Sequence, residues 1–427
     1  MANRHTLQDL QELQALPLDL KVRLTKQRIR EWIRYFGEDG VYVSFSGGKD
    51  STVLLDIVRG EYPNVKAVFV DVPTQYPELK QFVQKFDNVD IIRPKMNFFE
   101  VCEKYGFPLI SKEVSECVEG ARKYLTSILE SETVLTDRQT DRQTDRQPYV
   151  YSFHRLTGQG NYRKQTNDPY CHVVGGGMTT NIENLEELAS ILNERMVNRK
   201  GGNNQRLAIM LGMLTKDKNN PIKANIPEND RSQFSMEKYK FMLNAPFEIS
   251  NKCCNVMKKN PAHKYHKDTG RVPITAEMAS ESRLRTQKWL QNSCNGFELG
   301  IPKSTPMAFW TEQDVLLYIK IKNLPICSVY GDVVSDDEEY GQMTMAEWTG
   351  SELFELGNKG LHCTGCPRTG CALCGFGCQC RGDDRFLRLK ETHFGMYGLL
   401  DKIENNGYTM RQAIEWMNEN GGLNIRL

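Results

Sequence analysis

The chain has 427 residues, 55 of them Lys or Arg and 54 Asp or Glu, for a formal charge of +1. That length predicts about two or three modules, and the charge balance neither demands nucleic acid nor excludes a local basic groove. No run approaches about 18 apolar residues and residues 1–10 hold no signal-type stretch, so a cytoplasmic protein with no membrane partner is expected; thirteen cysteines in that setting point away from a disulfide scaffold and toward metal or redox chemistry.

Residues 6–36 read as helix, with Asp19 as N-cap, Ile29, Trp32, Ile33 and Phe36 on one face, and Gly37 as the stop. From 41 to about 128 strands and helices alternate. VYVSF opens the series, VKAVFVDV (65–72) and VDIIRP (89–94) are the next strands, and helices begin after Ser51 and near Pro77. This rhythm predicts an α/β fold with a doubly wound parallel sheet and ligands at the strands' carboxyl ends. Residues 136–147 then repeat TDRQ three times, a polar pattern with no apolar face to bury. The polar stretch 150–235, apart from a helical run at 182–197, reads as an insertion, a candidate lid over the pocket. Strand and helix signals return at RVPITAEMASES (271–282) and MAFWTEQDVLLYIKIKNL (307–324), the latter with Thr311 as cap and Asp314 completing a capping box. An acidic loop (335–340) precedes a cysteine-rich stretch at 361–381. The expected division is 1–38 for the N-terminal helices, 39–130 and 241–345 for the two parts of the core, 131–240 for a helical insertion, and 346–427 for a small cysteine-rich module with closing helices.

The chemistry starts at VYVSFSGGKDSTVLLDI (41–57). Two glycines, a lysine and two hydroxyls sit between a strand and a helix. Glycine lets backbone approach a ligand, and a helix start offers unpaired N–H groups and a positive dipole end. Such a junction suits a phosphate; a tight turn is the blander reading. It is not a Walker A loop, because the four-residue gap between Gly and Gly-Lys is missing.

Ser46-Gly47-Gly48-Lys49-Asp50-Ser51 resembles the SGGxDS pyrophosphate loop of the adenine-nucleotide α-hydrolase (PP-loop) superfamily. The resemblance implies that Ser46, Gly47, Gly48, Ser51 and Thr52 cradle a phosphate chain, with Lys49 and Asp50 at the reacting end. VFVDVPTQYPEL (68–79), MASESRLR (278–285) and KSTPMAFWTEQDVLLYIKIKNLPICSVY (303–330) are similar to segments of phosphoadenylyl-sulfate (PAPS) reductases, over about residues 40–128 and 245–380. On that likeness Asp71, Tyr76 and Glu78 lie near the adenosine; a cap on the following helix is the alternative reading of Asp71. Arg283 and Arg285 are candidates for the substrate's sulfate or phosphate, and the segment 303–330 is a structural helix region.

KCCNVMKKNP (252–261) keeps the Cys-Cys-x-x-x-Lys-x-x-Pro spacing of the iron–sulfur adenylyl-sulfate (APS) reductases of the same family. The resemblance implies a [4Fe–4S] cluster on Cys253, Cys254, Cys371 and Cys374 with Lys258 beside it. CTGCPRTGCALCGFGCQC also offers Cys363, Cys366, Cys378 and Cys380, so a Cys₄ zinc site or unligated thiols remain alternatives. The reductases' C-terminal nucleophilic cysteine has no counterpart after Cys380; Cys378 or Cys380 is a substitute, or an idle thiol.

Three functions follow from this reading. The first is sulfonucleotide reduction, with APS or PAPS as substrate and a thiol or thioredoxin-like donor, in a chain that forms a homo-oligomer. The second is ATP-dependent sulfur transfer to nucleic acid, met by Arg195, Arg199, Lys200 and Arg206. The third is a nucleotide sensor without chemistry.

Overall fold

The computed structural model describes residues 4–137, 149–151, 172–174, 202–216, 222–223, 226–335 and 360–427. Residues 138–147 of the tetrapeptide repeat, the helical run at 182–197 with Arg195, Arg199 and Lys200, and the acidic loop beyond Ser335 lie outside the described residues. The chain divides into two compact units: Met1–Asn97 with Val256–Ala372, and Phe98–Asn255 with Leu373–Leu427. This division runs through both expected core segments and through the cysteine-rich stretch. Cys363, Cys366 and Cys371 belong to the first unit, Cys374, Cys378 and Cys380 to the second.

The first unit is built on β1 (Val41–Ser44), β2 (Lys66–Val70) and β3 (Val89–Ile92), three of the six strands of its sheet. The order is β3, β2, β1, then Val272–Ile274, Lys303–Ser304 and Asn295–Gly296. All pairings are parallel except that of Asn295–Gly296 with Lys303–Ser304. Val41, Val43 and Phe45 are buried, as β-branched and aromatic residues of a central strand covered on both faces should be. The strand order reverses between β1 and Val272–Ile274. In open parallel sheets, the crevice outside the carboxyl ends at such a reversal is where ligands bind.

The N-terminal helix departs from expectation. It is two helices, α1 (Leu7–Gln14), capped by Thr6, and α2 (Leu18–Phe36). Pro17 interrupts them, since its ring bars the preceding residue from helical geometry and it has no N–H to donate. Asp19 is therefore not the cap; Pro17 occupies that position, and Asp19 lies in the first turn facing Arg23. Gly37 ends α2 at φ 78° as expected, and Ile29, Trp32 and Ile33 are buried. Lys21 of α2 grips both carboxylate oxygens of Asp314 at 2.8 and 2.7 Å, and the Nε1 of Trp310 donates to Thr25. Asp314 also closes the capping box with Thr311 at the start of helix Glu312–Lys322, in agreement with the sequence reading.

In the second unit, helix Lys112–Asp137 packs on Asn203–Met210 and on the short helix Glu237–Asn244, and it carries a buried arginine. Arg122 donates to the carbonyls of Met242, Ala245 and Phe247, which satisfies a loop that has no ladder of its own. Arg206, a candidate nucleic-acid contact, is engaged by Glu116 and Asn203. Among the described residues no helix is long and apolar enough to cross a membrane.

Candidate functional site

The stretch Phe45–Gly48 carries the chain from β1 into α3 (Lys49–Arg59). Gly47 sits at φ +73°, and a Cβ there would lie 2.9 Å from Val83 Cγ2 of α4 (Pro77–Val83). Only glycine meets both demands. The turn is then tied by its own hydroxyls. Ser51 Oγ accepts from the Ser46 amide at 3.1 Å and donates to the Gly48 carbonyl at 2.9 Å. Thr52 Oγ1 donates to the same carbonyl, and the Gly48 amide donates to Ser46 Oγ. Such bonds preorganise a loop whose remaining amides face outward at a helix start.

Residues far along the chain close over this turn. Tyr330 Oη accepts the Lys49 amide at 3.1 Å and shares a hydrogen bond with Thr369. The Lys49 ammonium, 4 % exposed, donates to the Pro367 carbonyl and to Glu312 Oε1, both at 2.9 Å. Burial opposes its charge, but Asp50, Glu312 and Tyr330 outweigh burial and hold its pKa above the ordinary lysine value. Asp50 is shifted upward as well. Burial raises its pKa, Glu312 adds to the rise, and Lys49, Arg368 and Arg285 oppose it. Its Oδ1 is buried with no hydrogen-bond partner among the described residues.

A cleft of about 310 Å³ opens here. The turn supplies Ser46, Gly48, Lys49 and Asp50; Ser280 and Glu281 follow the strand across the reversal; and Arg368 and Thr369 form the far wall. It therefore lies at the crevice the sheet order marks out. A wider cleft of about 740 Å³ in the second unit, lined by Lys216, Arg231 and Lys240, holds none of these groups.

The family model for the phosphoadenosine phosphosulfate reductase domain matches residues 40–123 and 208–375, more than half of the chain. The chain belongs to that family. No curated protein matches it. The PAPS reductase domain is an enzymatic family, and membership points to a sulfonucleotide reductase-like or related nucleotide-binding function.

The remaining candidates of this PAPS reductase domain are placed as follows. Asp71 ends β2 and is 8 % exposed, held by Lys80 at 2.9 Å and Arg93 at 3.0 Å. Burial raises its pKa, but these two cations outweigh it and the value falls below the ordinary one. It does not cap α4, whose N-cap is Tyr76 with Pro77 following. Tyr76 Oη lies 3.6 Å from the Cys366 thiol, which donates to it. Arg283 is exposed at the first turn of helix Arg283–Asn292, and Arg285 pairs with Glu281. Neither arginine lines the 310 Å³ cleft.

The thiols fall into separate groups. Cys253 and Cys254 occupy the single turn Lys252–Cys254, which runs directly into the π-helical turn Asn255–Lys259 carrying Lys258. Such π-turns are frequent at functional positions. In the second unit, Cys374 is close enough to Cys102 and Cys378 to raise the pKa of both, although burial is the larger cause. Cys378 donates to the Gly375 carbonyl and its pKa is pushed up to about 12, so as folded it is no nucleophile; Cys380 is exposed. Among the described residues no three His, Cys, Asp or Glu side chains stand where one metal ion would be shared. An iron–sulfur cube spreads its thiolates wider than a single ion does, and two adjacent thiols with a lysine four residues on suit its charge.

Sequence reasoning missed Tyr330, Glu312, Pro367, Arg368 and Thr369. Tyr330 lay in a segment read as structural, and the Pro-Arg-Thr run was hidden among cysteines. A proline and arginine between two Cys pairs was the one available signal.

Proposed function

We propose that the chain binds an adenine (sulfo)nucleotide through Ser46–Ser51 and reduces it at sulfur. The observation that carries this reading is the buried, unpartnered Oδ1 of Asp50 at the foot of a preorganised turn, at the sheet's reversal. The Gly48, Lys49 and Asp50 amides and the Lys49 ammonium would hold phosphate oxygens, displacing the Tyr330 hydroxyl and the Pro367 carbonyl that now occupy them. Thr74, buried with its Oγ1 unpartnered among the described residues, would face the nucleoside with Tyr76. For APS the balance is one sulfonucleotide and two thiols giving AMP, sulfite, one disulfide and two protons. The thiols come from a dithiol or thioredoxin-like donor.

A [4Fe–4S] cluster on Cys253, Cys254, Cys374 and Cys371 is a separate part of the proposal, supported by the adjacent thiols beside the π-turn. When bound it would supply a charged, redox-capable centre. Anaerobic purification with iron and sulfide analysis tests it: about four irons per chain that fall on Cys253→Ser supports the cluster, and iron-free protein contradicts it. Sulfite release from APS or PAPS with a dithiol tests the reduction. An ATP-dependent sulfur transfer to nucleic acid is the second reading, favoured by the Lys216, Arg231 and Lys240 cleft. Pyrophosphate exchange with ATP in the presence of RNA or DNA, without sulfite release, would select it.

A further inference from the structure

We infer that Arg368 binds the outer anionic group of the ligand, the sulfate of a sulfonucleotide or the terminal phosphates of a nucleotide, and so sets what the cleft accepts. The inference rests on the nucleotide reading of the Ser46–Ser51 turn. Five charged residues line the cleft: Lys49 and Arg368, against Asp50, Glu281 and Glu312. Lys49 is already matched by Glu312 at 2.9 Å, and Glu281 is matched by Arg285 and by the Met278 amide. Asp50 has a buried, unpartnered oxygen, which adds negative charge at the floor. An entering polyanion would meet a wall with no net positive charge, apart from Arg368.

Arg368 makes no hydrogen bond or ion pair among the described residues, yet its charge is felt at Asp50. It is exposed while lining the cleft, which puts it at the rim, beyond the turn amides that would take the inner phosphate. Its neighbours hold it there. Thr369 bonds Tyr330, and two residues on, Cys371 bridges Gln75 while the Ala372 amide donates to Thr74, contacts that a ligand on the Lys49 ammonium would leave in place. A guanidinium on so anchored a segment presents a planar fork suited to sulfate or phosphate oxygens.

Equilibrium titration of the full chain with AMP, APS and ATP, for wild type, Arg368→Ala and Arg368→Lys, tests this. Arg368→Ala should weaken APS and ATP roughly ten- to hundredfold, the usual range for one lost charge-assisted bond, and AMP by no more than about threefold. Arg368→Lys should restore part of the loss. Arg368 is exposed, so the alanine variant should keep the wild-type melting temperature, which circular dichroism checks. Wild-type APS affinity in Arg368→Ala, or an equal loss for AMP and APS, overturns the inference while leaving the nucleotide reading intact. Absence of binding of all three nucleotides to wild type overturns that reading, and this inference with it.

Discussion

Lys49 and Glu312 meet at 2.9 Å in the floor of the cleft, the lysine 4 % and the carboxylate 46 % exposed. The pair makes Glu312 a competitor for the cation that the turn would offer a phosphate. Glu312→Gln should therefore tighten adenine nucleotide binding several-fold, and Lys49→Met should weaken it about tenfold or more. Calorimetric titration reads both. Weaker binding in Glu312→Gln would show that the carboxylate assists the ligand.

Asp50 carries a pH signature. Its folded pKa lies above the usual carboxylate value, with burial as the main cause. The folded state therefore prefers the protonated form, and stability is lost as pH rises through the folded pKa. Asp50→Asn removes that loss. The variant should melt higher than wild type at neutral pH, by about 1 kcal/mol or more in stability, and the gain should vanish near pH 3. A variant less stable at neutral pH would mean that the buried charge is compensated.

The two glycines should separate stability from binding. Gly47→Ala places a Cβ at positive φ and 2.9 Å from Val83 Cγ2, and should cost about 1–3 kcal/mol in denaturant unfolding. Gly48 has φ −76°, and a Cβ there would lie 3.2 Å from Ser46 Oγ and Tyr330 Oη. Gly48→Ala should fold nearly as well as wild type but bind nucleotide poorly. Equal effects on both properties in both variants would contradict this division.

Lys21 and Asp314 form a buried pair whose side chains are 3 % and 12 % exposed. Removing Lys21 alone strands a carboxylate that also caps a helix. Lys21→Ala should destabilise the chain by roughly 3–5 kcal/mol, measured by chemical denaturation. A loss below about 1 kcal/mol would show that Asp314 finds water or another cation.

How much was legible follows the range of each interaction. The strand-turn-helix at 41–57, the parallel alternation and the Thr311 cap were readable because neighbours in sequence decide them. Buried Lys21 was not, because its partner is nearly three hundred positions away. The same holds for Tyr330 and Pro367, which reach Lys49 only after the sheet has brought their segments to its carboxyl edge. Asp71 does not cap the following helix, one of the two readings made of it, and nothing local to VFVDVP announces that Lys80 and Arg93 pair with its carboxylate. The helix break at Pro17 was local, but the continuous apolar face around Ile29 and Trp32 overshadowed it.

The central claim is that the turn from Ser46 to Ser51 closes on the phosphates of an adenylate. Titrating the folded chain with APS, alongside the Gly48→Ala variant whose methyl crowds the turn, tests it most directly. Saturable one-to-one binding by wild type, strongly weakened in the variant while its melting curve stays close to wild type, is the expected result. No saturable binding in wild type, or undiminished binding in a well-folded Gly48→Ala, would contradict it.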